Sequence, residues 1–315
     1  MGEPRLLVVT GLWPTEDRPS TGTFVRDRTT GLQRPIVVGP VRYDQPMPVR
    51  YLRIAARALS ARGRVDGVEA HVLFPAGLIG LAAARIRRVP LVTYAHGSDV
   101  RETSVQNPIY RRLAKLVIRG SSVVATNSTD TAALLARLGG SATVIPPGVD
   151  LRRFMPTDRP ADRRVLYLGG ADVRKGYAVA QELADTLVGP GLSTIDPLDV
   201  PGLMAAHDIV LVPSTVEGFG LVAAEAIASG RWVVARRVGG LISIVEEGVT
   251  GTLVDRDEDF AKAIAEVPDY EPLLVAARAE RFSLEQSNAE MNAIWTRLLG
   301  RPSDDRALDA DSPDA

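Results

Sequence analysis

The residues Val212-Pro213-Ser214-Thr215-Val216-Glu217-Gly218-Phe219-Gly220-Leu221-Val222-Ala223-Ala224-Glu225-Ala226 concentrate chemistry-bearing side chains in one stretch. An apolar, strand-like run ends at Pro213, and two glycines flank Phe219 where an apolar helix begins. Glycine lets backbone approach a ligand closely, and a helix start offers unpaired N–H groups and the positive end of a dipole. Gly218, Phe219, Gly220 and Leu221 thus form a candidate phosphate cradle. Glu217 sits beside it, and Glu225 lies about two helical turns further, roughly 12 Å at 1.5 Å per residue. Carboxylates so separated, astride an anion site, suit hydroxyls at both ends of a diphosphate-linked sugar. A purely structural acidic turn at a helix start would show the same residues. Gly218, Gly220 and Ala223 also match a loose dinucleotide fingerprint. However, Ser214 to Glu217 intervene after the strand, and the next strand ends in Arg236-Arg237 rather than an acid, which disfavours NAD.

Among 37 basic residues only Lys115, Lys175 and Lys262 are lysine, so each stands out. Lys175, with Arg174 before it and Gly176 after it, follows an expected strand and loop, where open α/β sheets hold ligands. A solvated surface lysine is the plain alternative. His96 ends the apolar run 91–95 and precedes Gly97-Ser98-Asp99. It fits a ligand contact or a strand-end histidine bonded to backbone. Asp99 fits a substrate contact or a backbone turn. His71, beside Pro75 and Gly77 at another strand end, is a candidate for the acceptor side, whereas His207 opens a strand and reads as structural. With 0 Cys and 3 His there are no thiolates and too few histidines for a multi-histidine metal site.

Composition is that of a globular chain: 45% hydrophobic and 24% charged over 315 residues, enough for two domains. Aromatics at 5% and a net charge of −1 argue against nucleic acid as a partner. No apolar run reaches the roughly 18 residues of a membrane span, and no leader is read at the start, so the expected location is the cytoplasm. Residues 1–100 nevertheless carry fourteen Arg against eight acids, a net +6. Arg50, Arg53, Arg57 and Arg64 share one face of an expected helix over 49–64, and Leu52, Ala55, Ala56 and Leu59 share another. Such a helix either lays an apolar stripe on the core or rests peripherally on anionic lipid at the inner membrane face.

Positioning these residues requires an alternation of strands and helices. Apolar runs without alternation, as in parallel strands covered on both faces, occur at 6–10, 36–38, 70–74, 91–95, 122–126 and 143–145. Helical patterns at 77–88 and 129–138 lie between them, the latter capped by Asn127-Ser128. A boundary at Pro146-Pro147-Gly148-Val149-Asp150 precedes a second series at 165–168, 208–212, 232–235 and 251–254. This predicts an α/β chain with domains at 1–149 and 150–282, a last helix at 283–299 crossing back to the first, and a disordered acidic tail at 301–315.

The ordered series resembles the retaining GT-B glycosyltransferases of family 4, whose two Rossmann-like domains face each other across a cleft. The resemblance covers about 300 residues. It is carried by Gly11-Leu12-Trp13-Pro14 with Gly22-Thr23-Phe24-Val25, His96-Gly97-Ser98-Asp99, Ala125-Thr126-Asn127-Ser128, Ile145-Pro146-Pro147-Gly148-Val149-Asp150 with Phe154, Lys175-Gly176, and Glu217-x7-Glu225. It implies metal-independent transfer from a UDP- or GDP-linked sugar to an acceptor hydroxyl on a lipid-linked saccharide, polysaccharide or secondary metabolite, with no cofactor. By position it assigns Glu217 to sugar hydroxyls, and the Phe219, Gly220 and Leu221 N–H groups to sugar and phosphates. It assigns Glu225 to the ribose, Lys175 to the leaving diphosphate, His96 to the transferred sugar, and Gly22 to the phosphates across the cleft. Two departures stand out. Gly170 occupies the family's arginine position, leaving Arg174 as the nearby cation. The base-recognising region is shortened, with 192–195 as its one strand candidate. A catalytically degenerate nucleotide-sugar binder or scaffold for a partner transferase is the rival expectation.

Overall fold

The computed structural model describes residues 4–32, 35–101, 107–193 and 195–300, so the expected tail at 301–315 lies outside the described residues. Strands β1 (Leu6–Thr10), β2 (Ile36–Val38), β3 (Gly67–His71), β4 (Leu91–Ala95), β5 (Val123–Thr126) and β6 (Thr143–Val144) form one parallel sheet in the order β2-β1-β3-β4-β5-β6. Strands β7 (Val165–Tyr167), β8 (Thr186–Leu187), β9 (Ile209–Val212), β10 (Trp232–Arg236) and β11 (Gly251–Val254) form a second in the order β11-β10-β9-β7-β8. Helices cover both faces, so β1, β4 and β9 are buried along their whole length.

Both sheets change direction of winding at the same place. In the first this is between β1 and β3, in the second between β7 and β9. Ligands of open α/β sheets bind outside the carboxyl ends of strands at such a switch point. The carboxyl ends of the two sheets face each other: a Cβ on Gly97, after β4, would lie 3.5 Å from the Gly218 Cα, after β9.

The chain crosses between domains twice, at one point. Val149 N–H donates to the Phe282 carbonyl (2.9 Å) and Leu284 N–H to the Val149 carbonyl (2.8 Å). Gly148 is needed there, since a Cβ would lie 2.1 Å from the Leu284 Cα. Helix Leu284–Leu298 then packs Met291, Ile294 and Trp295 against Leu6, Val92, Tyr94 and Ile145 of the first domain.

Three expectations change. The third strand spans Gly67–His71 rather than 70–74, because Val72 takes a left-handed φ of 72° and ends it. In the shortened region the strand is Thr186–Leu187, beside β7, while Ser193 makes only an isolated bridge to Val188. Helix Met47–Ser60 ends before Arg64, which therefore leaves the expected basic face; it turns Ile54 and Ala58 to the core and leaves Leu52 72% and Leu59 42% exposed, so the 52/55/56/59 stripe is no core face.

Candidate functional site

The loop after β9 is built by glycine and proline chemistry. Pro213 ends the strand, and the helix Leu221–Ala228 begins at Gly220, whose φ of 106° an L side chain rarely adopts. Its first hydrogen bond runs from Ala224 N–H to the Gly220 carbonyl (3.0 Å), leaving the preceding N–H groups for a ligand. From below, the Gly239-Gly240 turn supports the loop: Gly240 N–H donates to the Glu217 carbonyl (3.2 Å), and a Cβ on Gly240 would sit 2.4 Å from the Phe219 carbonyl oxygen.

Lys175 arrives from the loop after β7. Asp172 caps the turn Val173–Lys175 by accepting from Arg174 N–H (2.8 Å), and Gly176 closes it with φ 74°. A Cβ on Gly176 would meet the Pro213 carbonyl oxygen at 2.3 Å, so glycine after the lysine lets this turn seat on the end of β9. The Tyr167 hydroxyl donates to the Gly170 carbonyl (2.9 Å). Lys175 Nζ reaches Glu217 Oε2 at 2.7 Å, and Ser214 Oγ donates to the same oxygen at 3.3 Å. Cation and carboxylate thus stand together at the helix start. Arg174 instead turns its guanidinium to Asp172 (3.1 Å). An arginine has no place at position 170: φ is 67°, and a Cβ would lie 2.6 Å from the Pro190 carbonyl oxygen.

The first domain supplies the opposite wall. His96 ends β4, its carbonyl accepting from Asn127 Nδ2 (2.8 Å) and its ring tilted on Phe24 with centroids 4.8 Å apart. Burial, and then its neighbour His71, hold its pKa well below the ordinary histidine range, so the ring is neutral. Gly22 opens helix Thr23–Thr30 with φ 73°. A Cβ there would lie 2.5 Å from the Leu12 carbonyl carbon, so glycine is required to aim this helix start at the cleft.

These parts enclose two adjoining cavities. The smaller, about 280 Å³, gathers His96, Lys175, Arg174, Glu217, Gly218, Phe219, Gly220 and Leu221. The larger, about 630 Å³, shares Leu221 and holds Glu225 with Arg18, Arg153 and Val188. Burial raises the Glu225 carboxyl to about 8, opposed by Arg153 and aided by Asp27. Because this pKa is raised above 4.5, the stabilisation from its proton is complete below pH 4.5 and is lost as pH rises through about 8. Glu225→Gln is therefore expected to melt higher than wild type above about pH 8, by roughly 3 °C or more, with the gap closing toward pH 4.5. Thermal melts across that range check it, and parallel curves would contradict it.

Two sequence candidates do not reach the cleft. Asp99 spends its carboxylate on backbone: Oδ1 accepts from His96 and Gly97 N–H (3.0 Å each) and Oδ2 from Leu73 N–H (2.8 Å), so it holds the turn. His71 is 1% exposed and lies behind His96, too deep to touch an acceptor. Conversely, Arg101 lines the smaller cavity, paired with Asp130 and 3.5 Å from the Glu217 carbonyl oxygen. Nothing in the sequence separates it from the other arginines.

The Glycosyltransferase Family 4 profile matches residues 6–153, and that of Glycosyl transferases group 1 matches residues 151–269. D-inositol 3-phosphate glycosyltransferase of Mycobacterium tuberculosis (strain H37Ra) is 30% identical, over 87% of this chain and 72% of the relative. The protein of that name from Geodermatophilus obscurus is 30% identical, over 74% and 67%. Among solved structures, Anabaena Alr3699/HepE in complex with UDP-glucose superposes with a TM-score of 0.75 at 20% identity, over 94% of this chain and 100% of that one. Sucrose-phosphate synthase (tll1590) from Thermosynechococcus elongatus gives 0.74 at 21%, over 95% and 100%. The two facing parallel-sheet domains are the GT-B fold, and the chain belongs to the family 4 glycosyltransferases.

Proposed function

We propose that the chain transfers a sugar from a nucleoside diphosphate sugar to an acceptor hydroxyl, with retention of configuration and without a metal. The observation that carries this reading is the Lys175–Glu217 pair at the free start of helix Leu221–Ala228, facing His96 across the cleft. The smaller cavity takes the sugar and diphosphate. Lys175, Arg174 and the helix N–H groups meet charge as it develops on the leaving diphosphate. Glu217 and His96 meet sugar hydroxyls. The larger cavity takes the nucleoside, with Glu225 at the ribose and the loop 188–190 toward the base. A UDP-linked donor is favoured over a GDP-linked one by the UDP-glucose complex of the Anabaena neighbour. The acceptor is a polyol or saccharide hydroxyl, free or lipid-linked. The inositol phosphate in the relatives' names puts phosphorylated cyclitols first in a test panel.

The test is donor consumption by purified protein against UDP- and GDP-sugars with an acceptor panel, beside thermal shift with each nucleotide. A specific ligand at a hundredfold excess over Kd stabilises by about 2.7 kcal/mol. Transfer with the anomeric configuration kept, undiminished by chelator, is the expected result. No transfer across the panel with no nucleotide binding would leave the scaffold reading in its place.

Helix Met47–Ser60 adds a peripheral contact with anionic lipid. Met47, Val49, Leu52 and Leu59 are exposed on it beside the exposed Arg53 and Arg57, which joins apolar and basic groups on one outward surface. No helix among the described residues is long and apolar enough to cross a membrane. Sedimentation with anionic phospholipid vesicles is expected to fall as salt rises and to weaken in Arg53→Gln/Arg57→Gln. Absence of sedimentation at low salt would overturn this contact.

A further inference from the structure

A buried line of side chains runs from the C-terminal helix to the cleft. Trp295 Nε1 donates to Glu69 Oε2 (2.9 Å), Glu69 Oε1 lies 3.3 Å from His71 Nε2, and His71 Nδ1 lies 3.1 Å from His96 Nε2. Arg28 approaches Glu69 Oε2 at 3.5 Å and is held by Asn288 Oδ1 at 2.9 Å. Glu69, His71 and Trp295 are at most 2% exposed, and of this line only His96 lines the cavity.

We propose that Glu69 and His71 are positioning residues that fix the tautomer of His96, so that His96 Nδ1 meets a sugar hydroxyl as a hydrogen-bond acceptor. The contact with the sugar rests on the donor reading above; the tautomer does not.

The argument is a count of protons and lone pairs. Burial opposes ionisation of Glu69, yet Arg28, His71 and Trp295 outweigh it and hold the carboxyl down at about 2. His71 Nε2 and Glu69 Oε1 stand 3.3 Å apart without the alignment of a hydrogen bond, but a lone pair on Nε2 would face an anion that only accepts, so His71 carries its proton there. A neutral His71 then offers the lone pair of Nδ1, and His96 must present Nε2–H to it. The remaining nitrogen, His96 Nδ1, has no partner among the described residues and keeps its lone pair.

The groups packed around the two rings hold this arrangement in place. From helix Thr23–Thr30 come the Phe24 ring on His96 and Arg28 on Glu69. From β4, the Tyr94 ring lies 4.7 Å from the His96 ring and 5.7 Å from the His71 ring, while its hydroxyl donates to the Ile145 carbonyl. Asp99 faces the His96 amide, and the C-terminal helix contributes Trp295 and Asn288. Glu69 is thus the anion that faces His71, whereas burial, and then His71, hold His96 neutral.

The chain has 3 His, so ¹⁵N-histidine NMR on the full protein resolves each ring. At about pH 8.5, two units above the ordinary histidine value, His71 and His96 are both expected with the proton on Nε2 and a bare Nδ1. Glu69→Gln, which removes the anion facing His71, is expected to leave the two rings as a mixture of tautomers at that pH and to lower kcat/KM several-fold. A wild-type His96 protonated on Nδ1 at that pH would overturn the proposal, and so would a folded Glu69→Gln with unchanged tautomers. Should Glu69→Gln not fold, the wild-type spectrum decides alone. The expected tautomers in a protein that transfers no sugar would count against the donor reading and leave the relay standing.

Discussion

Lys175→Ala is expected to cut kcat on the order of 100-fold, while the donor KM moves far less. The factor corresponds to about 2.7 kcal/mol at the transition state. A cation at a diphosphate leaving group gains most as charge develops, so its loss appears in turnover more than in ground-state binding. The structure weights this duty toward Lys175 over Arg174. Position 170 is closed to a second arginine by its left-handed backbone and the Pro190 carbonyl. Arg174 shares its charge with Asp172, whose carboxyl that same guanidinium holds below the usual range. Arg174→Ala is accordingly expected to cost several-fold at most. Steady-state kinetics with the best donor and acceptor pair compares the two variants. Wild-type transfer that survives Lys175→Ala undiminished would remove Lys175 from the site, and a larger loss in Arg174→Ala would make that residue the main phosphate cation.

What was legible in the sequence is what local chemistry dictates. Pro213, Gly218 and Gly220 mark a strand end and a helix start because backbone geometry there admits few other residues, and the structure puts both where they were read. The continuous apolar runs give the strands because a parallel sheet covered on both faces has no polar side. Glu69 escaped the same logic. A carboxylate inside a strand reads as an exposed position, and its partners Arg28 and Trp295 stand 41 and 226 residues away. His71 reads as a cleft residue for the same reason: the residue that covers it, His96, follows the neighbouring strand.

For helix Met47–Ser60 the sequence pattern shows the element but not its facing. Its apolar residues make two stripes of similar weight, one through Leu52 and Leu59, the other through Tyr51, Ile54 and Ala58. The tie is broken by a distant glycine: a Cβ on Gly11 would overlap the Tyr51 hydroxyl at 2.0 Å. Tyr51 therefore packs over the end of β1 and turns Leu52 outward. A stripe decided by one long-range contact is invisible to periodicity alone. The missing arginine is the reverse case, since Gly170 was plain in the sequence but its cause, the Pro190 carbonyl, was not.

Glu217→Gln separates the two halves of the ion pair. The carboxylate takes the Lys175 ammonium at 2.7 Å and the Ser214 hydroxyl at 3.3 Å, whereas the loop backbone is held by Gly240 N–H on the Glu217 carbonyl at 3.2 Å. The amide keeps the shape and leaves that backbone bond alone, so the melting temperature is expected to stay within about 2 °C of wild type. Transfer is expected to fall at least about 30-fold, the equivalent of about 2 kcal/mol of charge-assisted hydrogen bonding to hydroxyl donors. Because the pair is a single unit, Lys175→Ala/Glu217→Gln is expected to lose little more than the worse single variant, whereas independent residues would multiply their losses. Melting curves and transfer rates of the three variants check this. Activity of Glu217→Gln within about twofold of wild type, at unchanged melting temperature, would show that the carboxylate serves only to hold Lys175, and the sugar hydroxyls would then have to be met by His96 and the helix N–H groups.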